Sequence, residues 1–168
     1  VGRIDEAKGC KELFQYFLEY KRKNPCSKIK LVLMGKAILD IPKHPDILSL
    51  GFVSEEEKFS GIAGSKVLIL PSEFESLSIS VLEAMALKIP VLVNGKCEVL
   101  KGHCLKSNGG LYYMNYDEFE GCLDYLQKRL GIYTQMKESA KEYVDKFFKW
   151  DVILDHFRDI ISYVSNEQ

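Results

Sequence analysis

Five short apolar runs, "KLVLMG", "ILSLGFV", "KVLILP", "PVLVNG" and "GLYY", are the feature that most restricts the fold of this chain. Each ends at Gly, Pro or Asn or gives way to a polar stretch, and most are apolar on both faces. A strand that is apolar on both faces belongs in a sheet covered on both sides, which is the situation of parallel strands. Amphipathic helical segments separate the runs. In "CKELFQYFLEYKRK", Leu13, Phe14, Phe17 and Leu18 share one face and charges line the other. Helical patterns also fit residues 55–63, 77–87, 116–129 and 132–147. In "WDVILDHFRDIISYV", Ile153, Leu154, Phe157, Ile160, Ile161 and Val164 form one stripe, and Trp150 is expected to anchor it in the core. Strand–helix alternation predicts an α/β fold with a mostly parallel sheet and right-handed crossovers.

The 168 residues suffice for one domain with a real core, and 46% are hydrophobic, which argues against disorder. A formal net charge of −1 gives no global basic field for nucleic acid or an anionic membrane. No run approaches the ~20 apolar residues of a membrane span. No signal peptide is visible, the first residue is Val rather than Met, and five scattered cysteines suit free thiols in a reducing compartment. The expectation is a cytoplasmic domain excised from a longer protein. Cys97, His103 and Cys104 lie close together in "CEVLKGHC", but in no standard zinc spacing, and they are read as loop residues without a metal.

In open parallel sheets, ligands bind outside the carboxyl ends of the strands, so the loops that follow strands are the ones to inspect. "VGRIDEAKG" carries Arg3 and Lys8 just ahead of a helix. A guanidinium fork, an ammonium and free helix N–H groups suit a phosphate or diphosphate; equally, both cations suit a solvated surface beside Asp5 and Glu6. No P-loop and no G-x-G-x-x-G is present. In "PSEFESLSISVLEAMALKIPVLVNG", Glu75 falls in the loop after a strand, and Ser76 or Ser78 is a good N-cap for the next helix. Glu83 lies two turns along that helix among apolar neighbours. A carboxylate there needs a partner: a lysine, solvent, or the hydroxyl groups of a sugar.

Together, "VGRIDEAKG" and the E-x7-E pattern of "PSEFESLSISVLEAMALKIPVLVNG" resemble the nucleotide-binding half of retaining GT-B glycosyltransferases (glycosyltransferase group 1, family 4). The resemblance extends through "SLGFVSEEEK", "SNGGLYY" and the closing Trp150 helix. It implies a Rossmann-like three-layer sandwich over residues 1–168, the C-terminal half of a GT-B fold, with the N-terminal acceptor domain absent from the chain. It implies transfer of a hexose, with retention, from a UDP- or GDP-sugar to a saccharide or lipid-linked acceptor, in cell-surface polysaccharide synthesis. By position, Arg3 and Lys8 would neutralise the diphosphate and Glu75 would lie near the transferred sugar. Glu83 would accept from the ribose, backbone amides of Ser76, Leu77 and Ser78 would face sugar and phosphates, and Gly35, Phe52 and Val53 would border the base. No metal or other cofactor is implied. Peripheral contact of the full protein with the inner membrane face is compatible with the family.

The chain departs from the family pattern at three places. "SLSIS" replaces a glycine-rich segment after the first glutamate, Lys88 stands where glycine is common after the helix, and only "KAILDIPKHPD" separates the first two strands. A non-catalytic nucleotide-sugar-binding module and a nucleotide-sugar 2-epimerase of GT-B architecture are the alternative functions.

Overall fold

The computed structural model describes residues 1–166. The elements alternate as the sequence pattern predicts. Helix α1 (Cys10–Lys23) precedes strands β1 (Leu31–Leu33) and β2 (Ile47–Ser49). Then come α2 (Glu55–Ala63), β3 (Leu68–Leu70), α3 (Ile79–Ala86), β4 (Val91–Asn94), α4 (Glu98–Ser107) and β5 (Gly110–Tyr113). Helices α5 (Tyr116–Lys128), α6 (Leu130–Phe147) and α7 (Trp150–Asn166) close the chain. Every named strand pairs in parallel: β1 with β2 in one ladder, and β3, β4 and β5 in order in a second.

Side-chain alternation along the strands feeds two cores, one on each face. Val91 and Val93 of β4, with Leu68 and Leu70 of β3, point into a cluster with Ile62, Val81, Met85, Leu100 and Ala140. Leu92, between the two valines, faces the other way, into a cluster with Phe14, Phe17, Phe119 and Leu123. Thus α2, α3, α4 and α6 cover one face while α1 and α5 cover the other, and β4 is buried at all four positions. This is the doubly covered parallel arrangement that the apolar runs require.

Two expectations are corrected. The stretch after β4 is not only a loop: residues 98–107 form α4, with Cys97 at its N-cap position and His103 and Cys104 on its buried side. Gly102 and the mixed polarity of "EVLKGHCLKS" hide its period. Trp150 is not a core anchor either. It is 75% exposed, and Leu154, Phe157, Ile160, Ile161 and Val164 are also exposed. The stripe on α7 is real, but among the described residues nothing covers it.

Lys88 follows the C-cap Leu87 of α3 and has φ 59°. Its N–H bonds Met85 O at 3.0 Å and the Ile89 N–H bonds Ala84 O at 2.9 Å. These two bonds are a Schellman closure, the turn that usually employs glycine.

Candidate functional site

The loops that follow the strand ends gather around one end of the sheet. Gly9 brings the first two of them together. With φ 72° it caps α1, and an added Cβ would lie 2.2 Å from Pro71 O, so the first loop rests directly on the chain leaving β3. Only glycine permits that approach. In consequence Lys8 Nζ reaches Glu75 Oε1 at 2.7 Å across 67 residues of sequence. The Glu75 side chain is 14% exposed and that of Lys8 38%. A largely desolvated carboxylate with an ammonium beside it is a defined charge pair at the mouth of the site.

Arg3 forms an ion pair with Asp5, and the Lys8 backbone N–H bonds Asp5 Oδ1 at 2.8 Å. Asp5 is buried and therefore organises the loop that carries both cations. An aspartate that accepts from an amide three residues on competes with regular structure and fixes a turn, and that spacing is its signal in the sequence.

Ser78 occupies the N-cap position of α3, as one of two expected serines, but it does not cap with its side chain. Its φ is 63° and no side-chain oxygen meets the first-turn amides. Its Oγ lies instead 3.5 Å from Ser80 Oγ. A left-handed non-glycine residue is uncommon and costs about 1–2 kcal/mol. The helix end consequently presents its early N–H groups and the positive end of its dipole without a side-chain acceptor.

The preceding segment is tied from behind. His103 Nε2 lies 2.9 Å from Leu77 O, and His103 Nδ1 lies 3.0 Å from Tyr143 Oη. A carbonyl can only accept, so Nε2 carries the proton and donates; in the neutral ring Nδ1 then accepts from the tyrosine hydroxyl. His103 is buried, and α4 and α6 thereby hold the loop that leads into α3. The mixed polarity of α4 gives the sequence no period that would point to this anchor.

A cavity of about 1270 Å³ is lined by Arg3, Lys8, Glu75, Ser76, Leu77 and Ser78. Six of the sequence-predicted residues are thus brought together. The other four do not line it. Glu83 Oε1 pairs with Lys58 Nζ of α2 at 2.9 Å, the lysine reading of that carboxylate. Lys58 also meets Glu55 at 2.8 Å, and hydrogen bonds to Glu55 and then Glu83 hold its ammonium above the usual lysine range. Gly35 has φ 140°, and an added Cβ would strike Gly2 O at 1.8 Å, so its glycine is required by the first loop's close approach. Phe52 is 90% exposed, while Val53 packs against the first core cluster. Among the described residues, no group of three His, Cys, Asp or Glu side chains is placed to hold a metal. No described helix is long and apolar enough to cross a membrane.

Known proteins share this fold. The model of the family "Glycosyl transferases group 1" matches residues 1–120. An uncharacterised 41.2 kDa protein in the cps region of Klebsiella pneumoniae is 23% identical over 97% of the chain. The chain spans 45% of that relative's length. The C-terminal domain of the group 1 glycosyl transferase LpcC from Francisella tularensis superposes with TM-score 0.73 at 19% identity, covering 89% of this chain and 84% of that one. Anabaena HepE in complex with UDP superposes with TM-score 0.78 at 14% identity, over 96% of this chain and 48% of that one. These structural likenesses establish the Rossmann-like fold of GT-B C-terminal domains, and the family match over most of the length places the chain among the glycosyl transferases of group 1.

Proposed function

We propose that residues 1–168 are the nucleotide-sugar-binding domain of a retaining glycosyltransferase that moves a hexose from a nucleoside diphosphate sugar to a saccharide or lipid-linked acceptor. The observation that carries this is the convergence of Lys8, Glu75 and the uncapped N-terminus of α3 on one cavity. An uncapped helix end beside a cation attracts a diphosphate. The UDP complex of HepE and the cps-region relative support a UDP-sugar donor and a role in surface polysaccharide synthesis.

In this reading the diphosphate lies over the first turn of α3, with Lys8 and Arg3 on its charged side. As the bond from the anomeric carbon to the diphosphate breaks, negative charge grows on the departing oxygen. Fixed N–H groups and cations stabilise that charge more in the transition state than in the substrate, and no metal is needed. Glu75, freed from part of its contact with Lys8, accepts hydroxyl groups of the hexose. Glu83 has one oxygen on Lys58 and offers the other to the ribose, while Gly35, Phe52 and Val53 border the base. Acceptor recognition falls to an N-terminal domain outside these residues, so the domain alone binds donor without turning it over.

Calorimetry with UDP and GDP tests the reading. Saturable binding of at least one, weakened about 100-fold by Arg3→Ala with Lys8→Ala, is expected, since hydrogen bonds to charged groups contribute about 1.5–3 kcal/mol each. No binding of either at millimolar concentration contradicts it.

A further inference from the structure

Glu83 lies beyond the lining of the cavity but on the side of α3 that turns towards it. Ile79 lines the cavity and Glu83 stands four residues on, so the two share one helix face, about 6 Å apart along the axis. That is the reach from a phosphate to the hydroxyl groups of the ribose attached to it. The Glu83 carboxylate is not free to turn there. Its Oε1 is held by Lys58 Nζ at 2.9 Å, and both side chains are largely buried. Among the described residues nothing bonds its Oε2.

Lys58 is itself fixed from several directions. Its N–H bonds Ser54 O at 2.9 Å, within the turn that the Ser54–Glu57 capping box closes. Its Nζ meets Glu55 Oε2 at 2.8 Å and lies 4.4 Å from the centre of the Phe59 ring. Val53 directly precedes the cap and packs against the first core cluster. The segment expected to border the base and the lysine that holds Glu83 therefore belong to one rigid turn.

Helix packing does not call for this ion pair. Ile62 of α2 and Val81, Ala84 and Met85 of α3 already meet in the core. A largely buried pair is a poor source of stability, because two charges leave water to form it and apolar side chains of similar volume serve as well or better. What the pair does supply is a fixed direction for one carboxylate oxygen.

We propose that Lys58 is a positioning residue for the ribose end of the nucleotide. It touches no ligand. It holds Glu83 by Oε1, so that Oε2 is presented as a fixed acceptor for a ribose hydroxyl. Selection of a ribose over a sugar without those hydroxyls then depends on a side chain from a different helix. This rests on the donor-binding reading above, and adds to it a residue that lies outside both the E-x7-E pattern and the first loop.

Calorimetry tests it, with UDP and GDP each compared with its 2′,3′-dideoxy analogue. In the natural chain, the nucleotide that binds is expected to do so about 30-fold more tightly than its analogue, the scale of one hydrogen bond to a charged group. Lys58→Met is expected to bring that ratio to about threefold or less, by weakening the ribose nucleotide and leaving the analogue unchanged. Lys58→Arg keeps a charged donor for Glu83 and is expected to hold the ratio above about tenfold. Unchanged binding of the analogue also shows that Lys58→Met is folded at the site. Should it not fold, Lys58→Gln, polar but one bond shorter, is read in its place with the same expected fall. A ratio kept in these variants, or an equal loss for both ligands, overturns the inference. Glu83→Gln separates the two levels of the account. If it abolishes the ratio while Lys58→Met keeps it, the role of Lys58 alone falls. If neither nucleotide binds, or the natural chain does not distinguish the analogue, the underlying reading falls and this inference with it.

Discussion

Two helices of this domain follow consecutive strands, α2 after β2 and α3 after β3, both with serine at the N-cap position, and they are finished in opposite ways. Ser54 at the head of α2 has φ −65°, its Oγ accepts from Glu57 N, and Glu57 Oε2 accepts from Ser54 N at 2.8 Å. That is a complete capping box. Ser78 at the head of α3 has φ 63° and caps nothing. The closed end belongs to a helix whose first turn is on the surface. The open end belongs to the helix that looks into the cavity with Lys8 and Glu75. The same residue type closes one helix and leaves the first amides of the other without a side-chain acceptor, while His103 holds the segment ahead of Ser78 through Leu77 O.

The largest effect is expected for His103→Phe, which removes the bond to Leu77 O and leaves the Tyr143 hydroxyl buried without a partner. The expected loss is about 1–3 kcal/mol in chemical denaturation, together with faster exchange of the Leu77 and Ser78 amides. An unchanged exchange rate there would show that the loop holds itself. Next, Ser54→Ala should cost about 1 kcal/mol as a lost cap, whereas Ser78→Ala should cost well under half as much, since no cap is lost. Equal costs would erase the distinction between the two ends.

Acid sharpens the same contrast. The backbone and hydroxyl of Ser54 hold Glu57 below the usual carboxylate range. Its folded value is lowered, so its stabilisation is present above the ordinary value of about 4.3 and is lost as pH falls through the folded value. The stability gap between the natural chain and Glu57→Ala, read by denaturant titration, should therefore be full at neutral pH and shrink below about pH 4. The smallest effect concerns the other end of α3. Lys88→Gly should stabilise by about 0.5–1 kcal/mol, because a Schellman turn already closed by hydrogen bonds needs only relief of its left-handed residue. The exposed Lys88–Glu138 pair at 2.6 Å offsets little of that gain.

Much of the fold was legible because period and polarity carry it. All five apolar runs became strands, and doubly apolar patterning announced coverage on both faces. The nearness of Lys8 and Glu75 was legible too, for loops after parallel strands share one end of the sheet. What stayed hidden depends on partners distant in sequence or on backbone angles. Nothing in "SLSIS" signals that Ser78 turns left-handed. Lys58 lies 25 residues from Glu83, and only packing of α2 against α3 makes them a pair. The stripe beginning at Trp150 gives a face but not its cover. The division of the strands into two parallel ladders is a property of strand pairing that no single run reveals.

The central claim is that the open end of α3 receives a diphosphate beside Lys8. The most direct measurement is an amide NMR titration of the domain with UDP. Saturable shifts are expected, largest at Leu77, Ser78, Ile79, Ser80 and Lys8, with smaller ones at Phe52 and Val53 beside the base. Saturable shifts confined to other surfaces, or none at millimolar UDP, would contradict it.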